Sequence, residues 1–163
     1  MGRYFGTDGI RGKAGSVLHA ELAFKLGYHL KEVLKKEKLV IGYDTRESSE
    51  TLAYSVASGA MAAGMDVEFA GVVTTPMIAY YARGHALSGV MVTASHNPYY
   101  DNGLKVFDQG FKLPEEKETL IEDLLDAPVS YQSDRFGTLR QSDDVKVYYK
   151  ELYKSLGLEP INL

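Results

Sequence analysis

The sequence predicts an α/β fold of three layers, α/β/α, around a mostly parallel central sheet. Three observations carry that expectation. From Ala20 to Ala94 the pattern runs helix, strand, helix, strand, helix, strand with short turns between, the alternation from which parallel sheets covered by helices are built. The strand segments "LVIGYD", "VEFAGVV" and "LSGVMVTA" are short apolar runs, as strands buried on both faces are. And 163 residues at 45% hydrophobic and 25% charged are an ordinary globular composition for one domain with a sizeable core.

The first helix is expected from about Ala20 to Lys36, where Leu22, Leu26, Leu30 and Leu34 recur every fourth residue and Ala23 and Val33 widen the stripe. Its basic end, "KEVLKKEK", reads as a solvated terminus with Glu32 and Lys36 spaced for an i,i+4 pair. After the strand ending at Asp44, "SSETLAYSVASGAMAAGM" opens with capping serines and places Leu52, Val56, Ala60 and Gly64 at helical spacing, its small residues suited to close packing on a sheet. In "TTPMIAYYARGH", Thr75 can cap a helix and Pro76 fits its first position.

Past Ala94 the rhythm changes. Asp101-Asn102-Gly103 is a turn signal, "LKVF" and "GFKL" suggest a hairpin-like edge, and "PEEKETLIEDLLD" an amphipathic helix with Leu120, Leu124 and Leu125 inward. "APVSYQSDRFGTLR" reads as an irregular connector, residues Asp143 to Leu156 as a helix stopped by Gly157, and "EPINL" has no visible role. A helix followed by a few unpaired residues suggests a module taken from something longer, divided as 1–140 for the α/β/α body and 141–163 for a helix and the start of a linker.

Net charge −4 and pI near 5.6 give no support to nucleic-acid binding. The absence of cysteine excludes disulfides and thiolate metal sites and is compatible with a reducing compartment. With no signal core and no apolar stretch approaching the ~18 residues of a membrane span, the expected setting is cytoplasmic, without a membrane partner. His19, His29 and His85 lack ligand spacing, so no histidine-rich metal site is expected.

Ser95 follows a buried strand directly and should stand at its carboxyl end, the edge where open parallel sheets carry ligands. A Ser95–His96 nucleophile pair is disfavoured: adjacent side chains usually diverge, and no Gly-x-Ser-x-Gly elbow is present. Read locally, Ser95, Asn97 and Pro98 build a turn, and Lys105 is an exposed lysine on an edge strand. Read together, Lys105 returns beside the serine as an electrostatic clamp or a base, while "FGTDGIRG" brings glycines and the Arg11 fork for an anion. Asp44 and Arg46, at another strand end, either reach the same edge or pair with each other. The doublet Tyr99-Tyr100 can line the loop.

At this point the residues resemble a family. "TASHNP" (Thr93 to Pro98) with "DNGLK" ending at Lys105 is similar to the phosphoserine loop of the α-D-phosphohexomutases, the phosphoglucomutase/phosphomannomutase superfamily. "YFGTDGIRG" is similar to their N-terminal loop and "GYDTRESS" to their second strand end; the pattern looks most like the branch acting on glucosamine phosphate, departing from it at Val92-Thr93. The resemblance implies domain I of such an enzyme. Ser95 would then be the phosphorylated residue that exchanges a phosphoryl group with a hexose phosphate. Arg11, Lys105 and a Mg²⁺ bound through the Ser95 phosphate would offset its charge, and Lys105 would be the general acid or base. His96 is assigned to the catalytic loop, and Thr7, Asp8, Asn97 and Arg46 to phosphate and substrate binding. The family's Asp-Gly-Asp-Gly-Asp-Arg metal loop and sugar-recognition loops are not in this sequence. The resemblance therefore makes the remaining domains partners and leaves the chain inactive as a mutase by itself. A stand-alone, non-catalytic module is the competing expectation; a serine hydrolase ranks below both.

Overall fold

A computed structural model describes residues 2–128 and 130–158; the "EPINL" tail lies outside the described residues. The chain begins with a small hairpin, β1 (Phe5–Gly6) and β2 (Gly9–Lys13), and then enters α1 (Ala20–Leu34). Next come β3 (Lys38–Tyr43), α2 (Ser49–Ala62), β4 (Asp66–Val72), α3 (Thr75–Gly84) and β5 (Ser88–Val92). The second half holds β6 (Asp101–Asp108), β7 (Phe111–Lys112), α4 (Glu115–Asp126), β8 (Leu139–Gln141) and α5 (Asp144–Ser155).

One sheet runs β1-β2-β6-β5-β3-β4-β8, with β7 on β6. The pairs β5–β3, β3–β4 and β4–β8 are parallel, as the alternation of helices and strands requires. The pairs β5–β6, β6–β2 and β2–β1 are antiparallel; β1 and β2 are joined by a tight turn and β5 and β6 by the loop that carries Ser95, with no helical crossover in either connection. Period-two alternation sends neighbours to opposite faces. Leu39, Ile41, Val90 and Val92 join the helices α1, α2 and α4 in one core, while Val40 and Met91 join Ile78, Tyr81 and Val145 of α3 and α5 in the other. That two-sided burial is why the strand segments read as unbroken apolar runs.

Several local expectations are corrected. Helix α1 stops at Leu34 because Lys35 turns left-handed (φ 54°); Lys36 is then off the helix, and its Nζ donates to Ala86 O instead of pairing with Glu32. Helix α2 packs on β3, β4 and β5, as its small residues suggest, and glycines also admit α1: a Cβ on Gly59 would lie 2.0 Å from Phe24 O of α1, and one on Gly27 of α1 2.1 Å from Val56 O of α2. Thr74, not Thr75, occupies the cap position of α3. On α4, Ile121 and Leu125 are buried and Leu124 partly so, but Leu120 is 45% exposed. The inward stripe therefore runs through Ile121 and Glu122 rather than Leu120. The connector contributes a strand, β8, tied to Asp66 through the Thr138 N–H and hydroxyl and the Arg135 guanidinium.

The segment from Asp101 to Gly103 is also reassigned. It is the start of β6, not a turn; Asn102 and Gly103 lie opposite Gly12 and Arg11 of β2. Buried Asn102 donates to Ser48 Oγ and Ser49 Oγ, so its polar side chain ties β6 to the start of α2. "LKVF" is consequently interior, paired with β5 along its length and with β2 at Leu104 and β7 at Phe107, and Lys105 is only 8% exposed. That removes the reading of Lys105 as an edge-strand surface lysine.

Candidate active site

Beyond Val92 the chain leaves the sheet in two steps. Thr93 is still held, its N–H donating to Gly103 O at 2.9 Å, and Ala94 is fully buried. Ser95 and His96 then emerge into solvent, at the carboxyl end of a central strand. Ser95 adopts φ 59°, the left-handed region that residues with a Cβ rarely enter. Its N–H donates to Thr93 Oγ1 at 2.9 Å, and the Thr93 hydroxyl donates to Asp44 Oδ2 at 2.6 Å.

Arg46 reaches this loop as well. Its Nε donates to Asp44 Oδ2 at 3.1 Å, Nη1 to Pro98 O at 2.6 Å and Asp101 O at 3.1 Å, and Nη2 to Ser95 O and Asn97 O, both at 2.9 Å. All the donors of its guanidinium are engaged. In this arrangement the guanidinium holds the loop's carbonyls. Both open possibilities for Asp44 and Arg46 are realised, since they pair with each other at this same edge. Burial pushes the Asp44 carboxyl up, but hydrogen bonds from Ser49, Thr93 and Arg46 outweigh it and hold it below the usual carboxylate range.

The N-terminal hairpin supplies the cationic side. Asp8 Oδ2 accepts from Lys105 Nζ at 2.6 Å and from Arg11 Nη2 at 2.7 Å. Arg11 Nη1 is 3.4 Å from Asn97 Oδ1, and Asn97 Nδ2 donates to Asp101 Oδ2 at 3.2 Å. Arg11, Lys105, Asp8 and Asn97 are thus brought together at the base of the serine loop. Burial raises the Asp8 carboxyl, but Lys105 and then Arg11 more than offset this, and it lies below its ordinary value. Arg11 Nε is buried without a partner among the described residues. The hairpin can approach this closely because Gly9 lacks a side chain: at φ +86° a Cβ there would lie 2.4 Å from Leu104 O.

Thr7 is exposed on the hairpin turn, with no side-chain hydrogen bond among the described residues. His96 Nδ1 lies 3.4 Å from Ser95 Oγ, at the outer limit of a hydrogen bond. Among the described residues no carboxylate stands behind it to complete a hydrolytic triad. A cavity of about 610 Å³ beside α1 and α2 is lined by Tyr99 and Tyr100 with Leu18, His19, Ser48 and Leu52, but not by Ser95. The serine oxygen faces open solvent.

The fold adds three supporting groups to the site. Thr93 is the one polar side chain between an apolar run and Ser95, and that interruption was a usable signal. Asn102 was masked by its resemblance to a turn. Buried Glu122 accepts the N–H groups of Tyr4 and Phe5, both at 2.7 Å, and so fastens the N-terminal hairpin to α4; nothing in a helix sequence rich in glutamate distinguishes it.

The family model for phosphoglucomutase/phosphomannomutase, α/β/α domain I, matches residues 2–132. The chain belongs to this family, as its first domain. It is 46% identical to the phosphoglucosamine mutase of Caldicellulosiruptor bescii over 95% of its own length, and 45% identical to that of Paraburkholderia phytofirmans over 94%. In each case it spans about 37% of the relative's length. A putative phosphomannomutase from Thermus thermophilus superposes with TM-score 0.79 at 27% identity, covering 93% of this chain and 35% of that one. A phosphoglucomutase/phosphomannomutase family protein from Burkholderia thailandensis gives 0.75 at 28% identity, covering 90% and 34%. Among the described residues no helix is long and apolar enough to cross a membrane.

Proposed function

We propose that this chain is the phosphoserine domain of a phosphohexomutase interconverting the 6- and 1-phosphates of a hexose, with glucosamine phosphate as the substrate. The observation that carries the reading is the placement of Ser95. It is an exposed hydroxyl on a constrained loop whose Asn97 lies against Arg11, and Arg11 and Lys105 share a single carboxylate. A phosphoserine carries roughly −1.5 to −2 charges at neutral pH, and two cations against one Asp8 charge leave a positive excess to receive it. The glucosamine assignment follows the relatives at 45–46% identity; the phosphomannomutase likeness, at 27%, is weaker.

In the proposed reaction the Ser95 phosphoester bond breaks as a hydroxyl of the hexose monophosphate attacks phosphorus. Lys105 gives a proton to the departing serine oxygen and takes up the one lost by the sugar hydroxyl, so it ends the step as the ammonium it began as. The resulting bisphosphate returns its other phosphoryl group to Ser95, so phosphate is conserved over the cycle. Arg11 and Lys105 stabilise charge on the transferring group, and Lys105 is the proton carrier. Asp8 orients both cations. Asn97 holds Arg11 at the loop, while Thr7 and His96 are the exposed groups available to sugar or phosphate.

Magnesium belongs to the same reading, but the chain's own donors do not make up its site. Among the described residues no three carboxylates or histidines gather as metal ligands, and Mg²⁺ asks for near-octahedral oxygen coordination. Ser95, through its phosphate, would contribute one ligand and the rest would come from other domains. The reaction is cytoplasmic on this reading.

The test is reconstitution. The chain is mixed with the remaining portion of the Caldicellulosiruptor enzyme and a trace of glucosamine 1,6-bisphosphate, and followed by intact mass and a coupled assay. Phosphate on the chain and turnover of glucosamine 6-phosphate, both lost in Ser95→Ala, are expected, with no turnover by the chain alone. Turnover that survives Ser95→Ala would refute the carrier assignment; a preference for mannose phosphate would refute the substrate.

A further inference from the structure

We propose that Asp44 and Arg46 are positioning residues: touching neither sugar nor phosphate, they fix the direction in which Ser95 presents its oxygen. The inference rests on the reading of Ser95 as phosphoryl carrier and adds the pair of groups that aim it.

The two peptide planes flanking the Ser95 Cα are each anchored, and both anchors lead to Asp44. On the amino side, Ser95 N–H donates to Thr93 Oγ1, which donates to Asp44 Oδ2. On the carboxyl side, Ser95 O accepts from Arg46 Nη2, while Arg46 Nε donates to that same Asp44 Oδ2. Fixing both planes fixes φ and ψ, and with them the Cα–Cβ bond. The value fixed, φ 59°, is one that serine does not favour, so an unanchored loop would relax away from it.

The remaining donors of Arg46 hold the carbonyls of Asn97, Pro98 and Asp101, which carries the constraint along the whole return to β6. Asp44 is itself rooted in the sheet: its N–H donates to Val92 O at 3.0 Å, and its Oδ1 accepts from the Arg46 N–H and the Ser49 hydroxyl. With the side chain of Arg46 only 12% exposed, the pair is shielded from solvent competition. Only a planar fork serves four carbonyls and a carboxylate at once; a lysine, with one rotating ammonium, cannot.

The experiment uses the 163-residue chain with phosphoserine genetically encoded at position 95, and compares Arg46→Lys, Thr93→Val and Thr93→Ser with the parent. Two quantities are read: the second ionisation of the phosphate by ³¹P NMR titration, and amide exchange of Ser95 measured on the unphosphorylated chain. In the parent, Arg11 and Lys105 should lower the phosphate ionisation by about one unit from its ordinary value near 6. Arg46→Lys and Thr93→Val should return it toward that value, and Thr93→Val should speed Ser95 exchange roughly fivefold by removing its acceptor. Exchange in β5 and β6 should stay unchanged, and Thr93→Ser should restore both readings.

Parent-like ionisation and parent-like exchange in both Arg46→Lys and Thr93→Val would overturn the inference. Should Arg46→Lys not fold, the Thr93 pair decides alone. A parent phosphate that ionises like free phosphoserine would instead overturn the carrier reading, and the exchange data would still decide whether the loop is anchored as described.

Discussion

Replacing Ser95 by glycine should make the protein more stable while abolishing its proposed chemistry. The left-handed φ of 59° is the reason. A residue with a Cβ gives up about 1–2 kcal/mol in this region, whereas glycine enters it freely but has about 0.5–1 kcal/mol more backbone entropy to lose on folding. The comparison that isolates this effect is Ser95→Gly against Ser95→Ala. Both lose the hydroxyl, whose side-chain contact with His96 is long at 3.4 Å, and both keep the backbone bonds to Thr93 and Arg46. The glycine variant should be more stable than the alanine variant by about 0.5–1 kcal/mol, or about 2 °C in thermal midpoint for a chain of this size. Urea denaturation and calorimetry on the unphosphorylated chain measure it, and neither variant should accept phosphate. Equal stability of the two variants, or a less stable glycine, would refute the argument that the site stores backbone strain.

Three further outcomes follow from the packing. Ile121→Ala, at a fully buried position, should cost about 2–4 kcal/mol, whereas Leu120→Ala, at 45% exposure, should stay within about 0.5 kcal/mol; equal urea midpoints would contradict the orientation of α4. Gly59→Ala would press a Cβ against Phe24 O and should cost about 2–3 kcal/mol, read by chemical denaturation. The Asp66 carboxyl, held by the Thr138 N–H, Arg135 and the Thr138 hydroxyl, is depressed from 3.8 to about 2. Its folded value lies below the unfolded one, so the tether on β8 is complete above about pH 4 and is lost as the pH falls through about 2. An NMR titration of the Asp66 carboxyl, with exchange of the Val67 N–H that donates to Thr138 O, checks this.

Much of the fold was legible because its signals are local. Leu22, Leu26 and Leu30 mark a helix face without reference to anything else, and Val90, Met91 and Val92 are apolar in succession because both faces of their strand are covered. The errors sit where a partner overrode a local preference. Asp101-Asn102-Gly103 has turn composition, yet pairing with β2 and the amide bonds of Asn102 to Ser48 and Ser49 draw it into a strand. Leu120 fits an apolar stripe, but α4 is rotated so that Glu122 can accept the N–H groups of Tyr4 and Phe5. At the site, residue type and motif single out Ser95, Lys105 and Arg11, whereas they leave open what Arg46 contacts, because a guanidinium suits carbonyls and phosphate equally well.

The sequence by itself determined the layered α/β fold, the family and the serine at a strand end, since periodicity, capping and short motifs are written in consecutive residues. Only the tertiary structure decided that Lys105 is buried between two strands, that Asp8 bridges it to Arg11, and that Asp44 and Arg46 hold Ser95 in a left-handed turn. Those facts depend on segments some 50 to 100 positions apart in the chain meeting at one sheet edge, and a pairing over that distance is set by how the strands register, not by the identity of any residue alone.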